Sequence, residues 1–219
     1  IAVYDAGTAA LIWEREFPAD QFSIDAPVVA IGGNGLLYAS LQELYALDLA
    51  SGEVRWTYLR STSTDPWDRS PVAIGPDHTV YFSTDGTISA LEPETGQQKW
   101  RIGANENAYL VLDHADRLFA DYRSFGSHLM GIDTETGSQL WKTSLGSEDA
   151  YPLGVVNANS AEFVSTRIYT ILDPATGLKL SPLREEWWVT SNITLGADGT
   201  VYEALGTQLT AFGRYRETK

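Results

Sequence analysis

The chain has 219 residues, no cysteine, and 15 basic against 29 acidic residues, which gives a net charge of −14. That charge repels phosphate backbones, and no run of eighteen apolar residues occurs, so we expect neither a nucleic-acid partner nor direct membrane insertion. The lack of cysteine excludes disulfides, thiolate catalysis and cysteine-bound zinc. A hydrophobic content of 43% excludes an intrinsically disordered protein.

One motif recurs along the chain: an alternating apolar run reaches an anchor residue, turns, and resumes as a strand. The anchors are Asp5, Asp48, Glu92, Asp133, Asp173 and Gly213. Successive anchors lie 43, 44, 41, 40 and 40 residues apart. Periods near forty residues are typical of β-propeller blades, each made of four strands.

Two further strands are predicted before each later anchor. They are β-branched and aromatic runs bounded by Gly, Pro, Asn and Asp, at 27–31 and 36–38, 71–74 and 79–82, 110–112 and 117–119, 155–156 and 162–164, and 193–195 and 200–202. No ten-residue stretch carries a helical stripe. We therefore predict an all-β fold, a β-propeller of four-stranded antiparallel blades with about five blades present. Either a five-blade ring or an arc of a seven- or eight-blade propeller fits this count.

A single domain over residues 1–219 is expected. Its blades are predicted at about 1–20 (partial), 22–60, 66–103, 106–145, 150–183 and 187–213 (partial). Because the chain starts in the middle of a blade at Ile1, we favour an arc over a closed ring. An arc would expose sheet edges that can pair with a partner.

The turn after each anchor has a chemistry of its own. Asp48 and its counterparts can accept hydrogen bonds from amides two or three residues on, and the following glycine is expected to adopt the left-handed conformation. A tryptophan follows four residues later in the better copies, where it would pack between blades. Asp85-Gly86 is a type I′ hairpin signal.

The pattern Ala-x-Asp-x-x-Thr-Gly-x-x-x-Trp resembles the tryptophan-docking repeat of pyrroloquinoline-quinone (PQQ)-like β-propellers. The residues that carry the resemblance, and that we interpret as structural, are Asp48, Gly52, Trp56, Gly96, Trp100, Asp133, Gly137, Trp141, Asp173 and Gly177. Departures are Glu92 for Asp, Ala9 for Gly and Ser181 for Trp. The family includes outer-membrane assembly lipoproteins and quinoprotein dehydrogenases.

The resemblance implies two kinds of function. Dehydrogenase members hold PQQ with calcium, but no ligand set of theirs can be matched here, so we expect no catalytic, cofactor-binding or metal-binding residue. We predict a non-catalytic platform, periplasmic or extracellular at a bacterial envelope, which binds protein partners or itself through a propeller face or edge. A piece of a PQQ-dependent dehydrogenase and a carbohydrate-binding propeller remain the alternatives.

The irregular connections between repeats are the candidate binding face. Acidic and aromatic residues recur in them, and loops on a rigid scaffold commonly carry binding. The candidates are Asp65, Trp67, Asp68, Tyr109, Tyr151, Trp187 and Trp188. The alternative interpretation is that the aromatic side chains pack under the next blade while the acids are simply solvated.

Overall fold

Short β-strands make up the regular structure of the chain. The computed structural model describes residues 1–17, 28–41, 43–58, 72–104, 108–112, 116–123, 127–146, 155–156, 161–164, 168–185, 192–195, 201–205 and 208–212. Within these ranges every regular element is a strand. A helix long and apolar enough to cross a membrane is not found among these residues.

The chain divides into two compact units, and the first is Ile1–Leu110. Its strands are β1 (Ala2–Tyr4), β2 (Leu11–Glu14), β3 (Val28–Ile31), β4 (Leu36–Ser40), β5 (Leu44–Asp48), β6 (Val54–Tyr58), β7 (Ala73–Ile74), β8 (Val80–Thr84), β9 (Thr87–Leu91) and β10 (Gln98–Gly103). They form one two-stranded sheet, β1–β2, and two four-stranded sheets, β3–β6 and β7–β10.

The second unit is Val111–Lys219. Its strands are β11 (Ala108–Leu112, which crosses the boundary), β12 (Leu118–Arg123), β13 (Ser127–Ile132), β14 (Gln139–Gly146), β15 (Val155–Val156), β16 (Ala161–Val164), β17 (Ile168–Leu172), β18 (Lys179–Glu185), β19 (Asn192–Leu195), β20 (Val201–Leu205) and β21 (Gln208–Phe212). They form the four-stranded sheets β11–β14 and β15–β18 and the three-stranded sheet β19–β21.

Each sheet is an antiparallel meander in which neighbours in sequence are neighbours in space. This connectivity follows from the short turns, since strands joined by a few residues can pair only antiparallel. Both residues of the Asp85-Gly86 turn have positive φ, 47° and 62°, as a type I′ hairpin requires. The prediction of an all-β fold built from four-stranded antiparallel blades of β-propeller type is confirmed.

Strand position within a sheet explains the sequence pattern. All five residues of β4 and of β8 are buried, because these inner strands are covered on both faces. By contrast, β6 and β10 lie at a sheet edge and bury mainly Trp56 and Trp100. The inner strands therefore have mostly apolar sequences, whereas the edge strands mix polar and apolar residues.

Face-to-face packing of neighbouring sheets builds the core of the first unit. One cluster joins β3–β6 to β7–β10 and contains Leu36, Tyr38, Leu44, Ala46, Trp56, Val72, Val80, Phe82 and Leu91. The opposite face of β3–β6 carries Leu37, Ala39 and Leu47, against which Ile1 and Val3 pack. In the second unit Phe119, Leu129, Trp141, Leu145 and Leu172 form a corresponding cluster.

Candidate functional site

The anchor carboxylates are used within their own turns. Asp48 Oδ1 accepts the amides of Ala50 (3.1 Å) and Ser51 (2.9 Å) and the Ser51 hydroxyl (3.1 Å). Asp133 Oδ1 accepts both the amide and the hydroxyl of Thr136 at 2.7 Å. These are Asx-type turns, in which a short acidic side chain replaces backbone acceptors. The carboxylates therefore hold the turn rather than a ligand.

Arg55 adds an ion pair to the first complete turn. Its Nη2 donates to Asp48 Oδ2 at 2.6 Å. That bond, followed by those from Ser51, lowers the pKa of Asp48 to about 2. Bonds from Thr136 likewise lower the pKa of Asp133. Carboxylates whose charged form is so favoured are poor general bases at neutral pH.

Three of the described indoles contact the turn of the next repeat in the same way. The Nε1 atoms donate to a carbonyl of that turn: Trp13 to Leu49 (2.9 Å), Trp56 to Pro93 (2.8 Å) and Trp141 to Pro174 (2.9 Å). In all three cases the ring lies over the glycine of that turn. The motif thus places its tryptophan on the next copy of the motif.

Glycine is needed in these turns for two reasons. At Gly96, φ is +69°, a conformation that L side chains rarely adopt. A Cβ built on Gly96 would lie 2.6 Å from the Trp56 ring. Both the backbone and the close indole therefore require the missing side chain. Gly52, Gly137 and Gly177 also have positive φ, as predicted from the repeat.

Three motif tryptophans each have an aromatic partner that the sequence did not predict. It lies on the second strand of the sheet, and the ring centroids of Tyr38–Trp56, Tyr81–Trp100 and Phe119–Trp141 are each 5.8 Å apart. The small residue of the third strand lies between them in the register, for example Ala46, which faces both Tyr38 and Trp56. Aligning the copies on strand register, instead of on the turn, would have revealed this position.

Of the candidate binding-face residues, the structure describes Tyr109. It lies on β11, next to Ala108, whose amide donates to Ser83 Oγ at 2.8 Å. Ala108 and Ser83 both lie in the first unit, and the Tyr109 side chain is 45% exposed. The other candidates lie outside the described residues and stay predictions: Asp65, Trp67, Asp68, Tyr151, Trp187 and Trp188.

The part of the chain that the structure describes does not fit a calcium–PQQ site. Within it no three His, Asp or Glu side chains come together as metal ligands. The anchor carboxylates that could be candidates, such as Asp48 and Asp173, already accept amides of their own turns.

Strand number, turn chemistry and indole contacts together define a class, the PQQ-like repeat β-propellers. The family described as outer membrane protein assembly factor BamB matches the chain over residues 1–112 and 84–191. The chain therefore belongs to the BamB family. A comparison with curated proteins found no match.

Solved structures show the same fold. BamB from Moraxella catarrhalis is 21% identical, with a TM-score of 0.68 over 94% of this chain and 62% of its own. A quinohemoprotein alcohol dehydrogenase from Comamonas testosteroni is 14% identical, with a TM-score of 0.62 over 84% of this chain and 42% of its own. The computationally designed protein Ika8 is 14% identical, with a TM-score of 0.71 over 96% of this chain and 64% of its own. The chain thus spans about three fifths of the BamB structure it matches.

Proposed function

We propose that the chain acts as a non-catalytic protein-interaction platform at a bacterial envelope, periplasmic or extracellular. The observation that supports this proposal is that the polar groups of the motif form hydrogen bonds within the scaffold itself. Asp48, Asp133 and Asp173 bond to their own turns, and the Trp56 and Trp141 indoles bond to the next one. We interpret the repeat as a tryptophan-docking motif that rigidifies the scaffold and leaves recognition to other residues.

The family supports a role in assembly rather than catalysis. BamB is described as an outer membrane protein assembly factor, and we extend that role to this chain. The quinohemoprotein dehydrogenases share the fold at 14–16% identity, which carries no argument about chemistry. A platform needs rigid sheets and accessible side chains. Tyr109, near the start of β11, has such an exposed side chain.

Charge favours a particular sort of partner surface. With 29 acidic and 15 basic residues the chain attracts basic surfaces and repels acidic ones. Tyrosine is among the residues enriched in protein interfaces, because it combines a large apolar ring with a polar hydroxyl. We therefore expect a basic protein surface to contact the face that carries Tyr109.

Site-specific photo-crosslinking in a bacterial envelope tests this function. A photoreactive phenylalanine analogue is placed at Tyr109, and the matched control replaces Leu140, which is 56% exposed on the edge strand β14. We expect an adduct with an outer-membrane assembly component from position 109 and much less from position 140. Equal labelling at both positions, or no adduct with such a component, would contradict the proposal.

A further inference from the structure

The turn between β3 and β4 contains an asparagine followed by a glycine, Asn34-Gly35. The other asparagines of the chain are followed by Glu, Ala, Ser or Ile. A glycine leaves the peptide nitrogen after an asparagine unshielded, because it has no Cβ. That nitrogen can attack the side-chain amide carbon and close a succinimide ring. The sequence therefore makes Asn34 the asparagine most open to this reaction.

The structure leaves the attacking nitrogen accessible. Gly35 is exposed, has φ of +79°, and a Cβ built on it would meet no atom within 4 Å. Its N–H donates to Gly32 O over 3.4 Å. That distance exceeds the range of about 2.7–3.2 Å for a strong N–H···O bond. The nitrogen therefore gives up little on leaving its partner, and water reaches the turn.

The Asn34 side chain joins this turn to the next repeat. Its Nδ2 donates to Tyr38 Oη at 3.2 Å and to Glu94 Oε1 at 3.1 Å. Glu94 follows Pro93 in the turn between β9 and β10, and the Pro93 carbonyl accepts the Trp56 indole at 2.8 Å. All these residues belong to the first unit. The Asn34 amide thus adds a second hydrogen bond between the sheets that Trp56 connects.

A carboxylate at position 34 could not replace this amide. It has no N–H to donate to Glu94, and its negative charge would face the Glu94 carboxylate. Asn34 Oδ1 is buried, lies against Gly32 and has no hydrogen-bond partner among the described residues. Charge on an oxygen in that position would be poorly solvated. Loss of the amide nitrogen therefore turns an attractive contact into a repulsive one.

We propose that Asn34 is a site of spontaneous deamidation, which breaks the contact between the β3–β4 turn and the turn of the next repeat. The Gly35 nitrogen bonds to Asn34 Cγ, the Cγ–Nδ2 bond breaks, and Nδ2 leaves as ammonia with the proton of the Gly35 amide. Water then opens the succinimide at either carbonyl carbon: its hydroxyl stays on that carbon and its proton returns to the Gly35 nitrogen. The products are aspartate and isoaspartate, and neither step is an oxidation or a reduction.

Incubation of the full chain at mildly alkaline pH tests the modification. Peptide mapping by mass spectrometry follows the replacement of NH2 by OH at each asparagine, and fragmentation separates isoaspartate from aspartate. We expect position 34 to convert at least about tenfold faster than the other asparagines, a barrier difference of roughly 1.4 kcal/mol. A synthetic peptide of residues 31–37 is the control for the reaction without the fold.

Exchange of the two polar groups tests the consequence. Asn34→Asp imitates the aspartate product and should lower the folding equilibrium constant roughly tenfold, because a hydrogen bond to a charged group is replaced by two facing carboxylates. Glu94→Gln supplies an amide that can donate to the new carboxylate. In the double variant the bond forms again with donor and acceptor exchanged, so most of the loss should be recovered. Urea unfolding of the parent, both single variants and the double variant measures this coupling.

Three results would overturn the inference. An unmodified Asn34 in the folded chain, under conditions that convert the peptide, would show that the fold protects the site. Aspartate without isoaspartate would exclude attack by Gly35. Equal losses from Asn34→Asp with Glu94 and with Glu94→Gln would show that the contact with Glu94 is not what the modification breaks. Crosslinking at Tyr109 does not depend on Asn34, so these outcomes leave the test of the platform role separate.

Discussion

At the level of single residues, polar side-chain atoms of the repeat hold the backbone of its turns in place. Asp48 Oδ1 bonds to two amides and a hydroxyl within four residues, and Arg55 neutralises the other oxygen. The first copy achieves the same turn with alanine: Ala9 has φ of +55°, and its amide still donates to Asp5 O at 2.8 Å. The turn therefore tolerates a strained residue at Ala9.

Gly96→Ala is expected to destabilise the protein. The substitution forces an L residue to φ of +69° and places a methyl group against the Trp56 ring. Each effect costs roughly 1–3 kcal/mol. The matched control is Gly103→Ala, where an added Cβ meets no atom within 4 Å. Urea unfolding measures both, and equal free energies of unfolding for the two variants would contradict the turn geometry.

The Asp48–Arg55 pair makes the stability of the folded chain vary with pH in the acid range. The pKa of Asp48 is about 2 in the folded chain against 3.8 for the free residue. A lowered pKa contributes stability that is present above the free value and is lost as the pH falls through the folded value. Arg55→Ala should raise the Asp48 pKa toward 3.8 and lower stability at every pH above that value, with no loss of stability at a pH below about 2. Carboxyl NMR titration checks this, and an unchanged Asp48 pKa would contradict it.

At the level of elements, the tryptophan of a repeat contacts both its own sheet and the turn of the next repeat. Trp141 packs at a tilt against Phe119 within its own sheet and donates its indole N–H to the Pro174 carbonyl oxygen of the following repeat. The same side chain therefore stabilises a sheet and the contact between sheets. Its position at an edge strand lets it reach the neighbouring turn.

Trp141→Ala should cost roughly 3–5 kcal/mol of unfolding free energy, because a large buried aromatic is replaced by a cavity. The preceding residue provides the control: Leu140 is 56% exposed on the same strand, and Leu140→Ala should change stability by less than about 0.5 kcal/mol. Thermal and urea unfolding compare the two. Similar losses for both variants would mean that the indole contact does not stabilise the unit.

The sequence predicts these elements well where a residue acts through its own turn. The left-handed glycines and the Asp85-Gly86 hairpin follow from local chemistry, which the chain repeats every forty residues or so. The Tyr38–Trp56 contact depends on register across three strands and does not follow from the turn. The Arg55–Asp48 pair depends on a rotamer choice of a long side chain. Positions predicted to lie in the connections, such as Trp67, do not recur with the repeat, so the repeat does not predict their contacts.

At the level of the whole molecule, the repeat defines the family and not the ligand. The same fold occurs in an assembly factor, an alcohol dehydrogenase and a designed protein. Function must therefore come from residues that vary between copies. We propose that here these are Tyr109 on β11 and its predicted companions in the connections between repeats.

Titration with PQQ and calcium tests the central claim, that this repeat protein is a scaffold and not an oxidoreductase. The full chain is mixed with excess calcium and increasing PQQ, and the quinone absorbance and dye-linked alcohol oxidation are followed. We predict no saturable absorbance change and no turnover above the protein-free control. A saturable change with one PQQ per chain, accompanied by alcohol oxidation, would contradict the account.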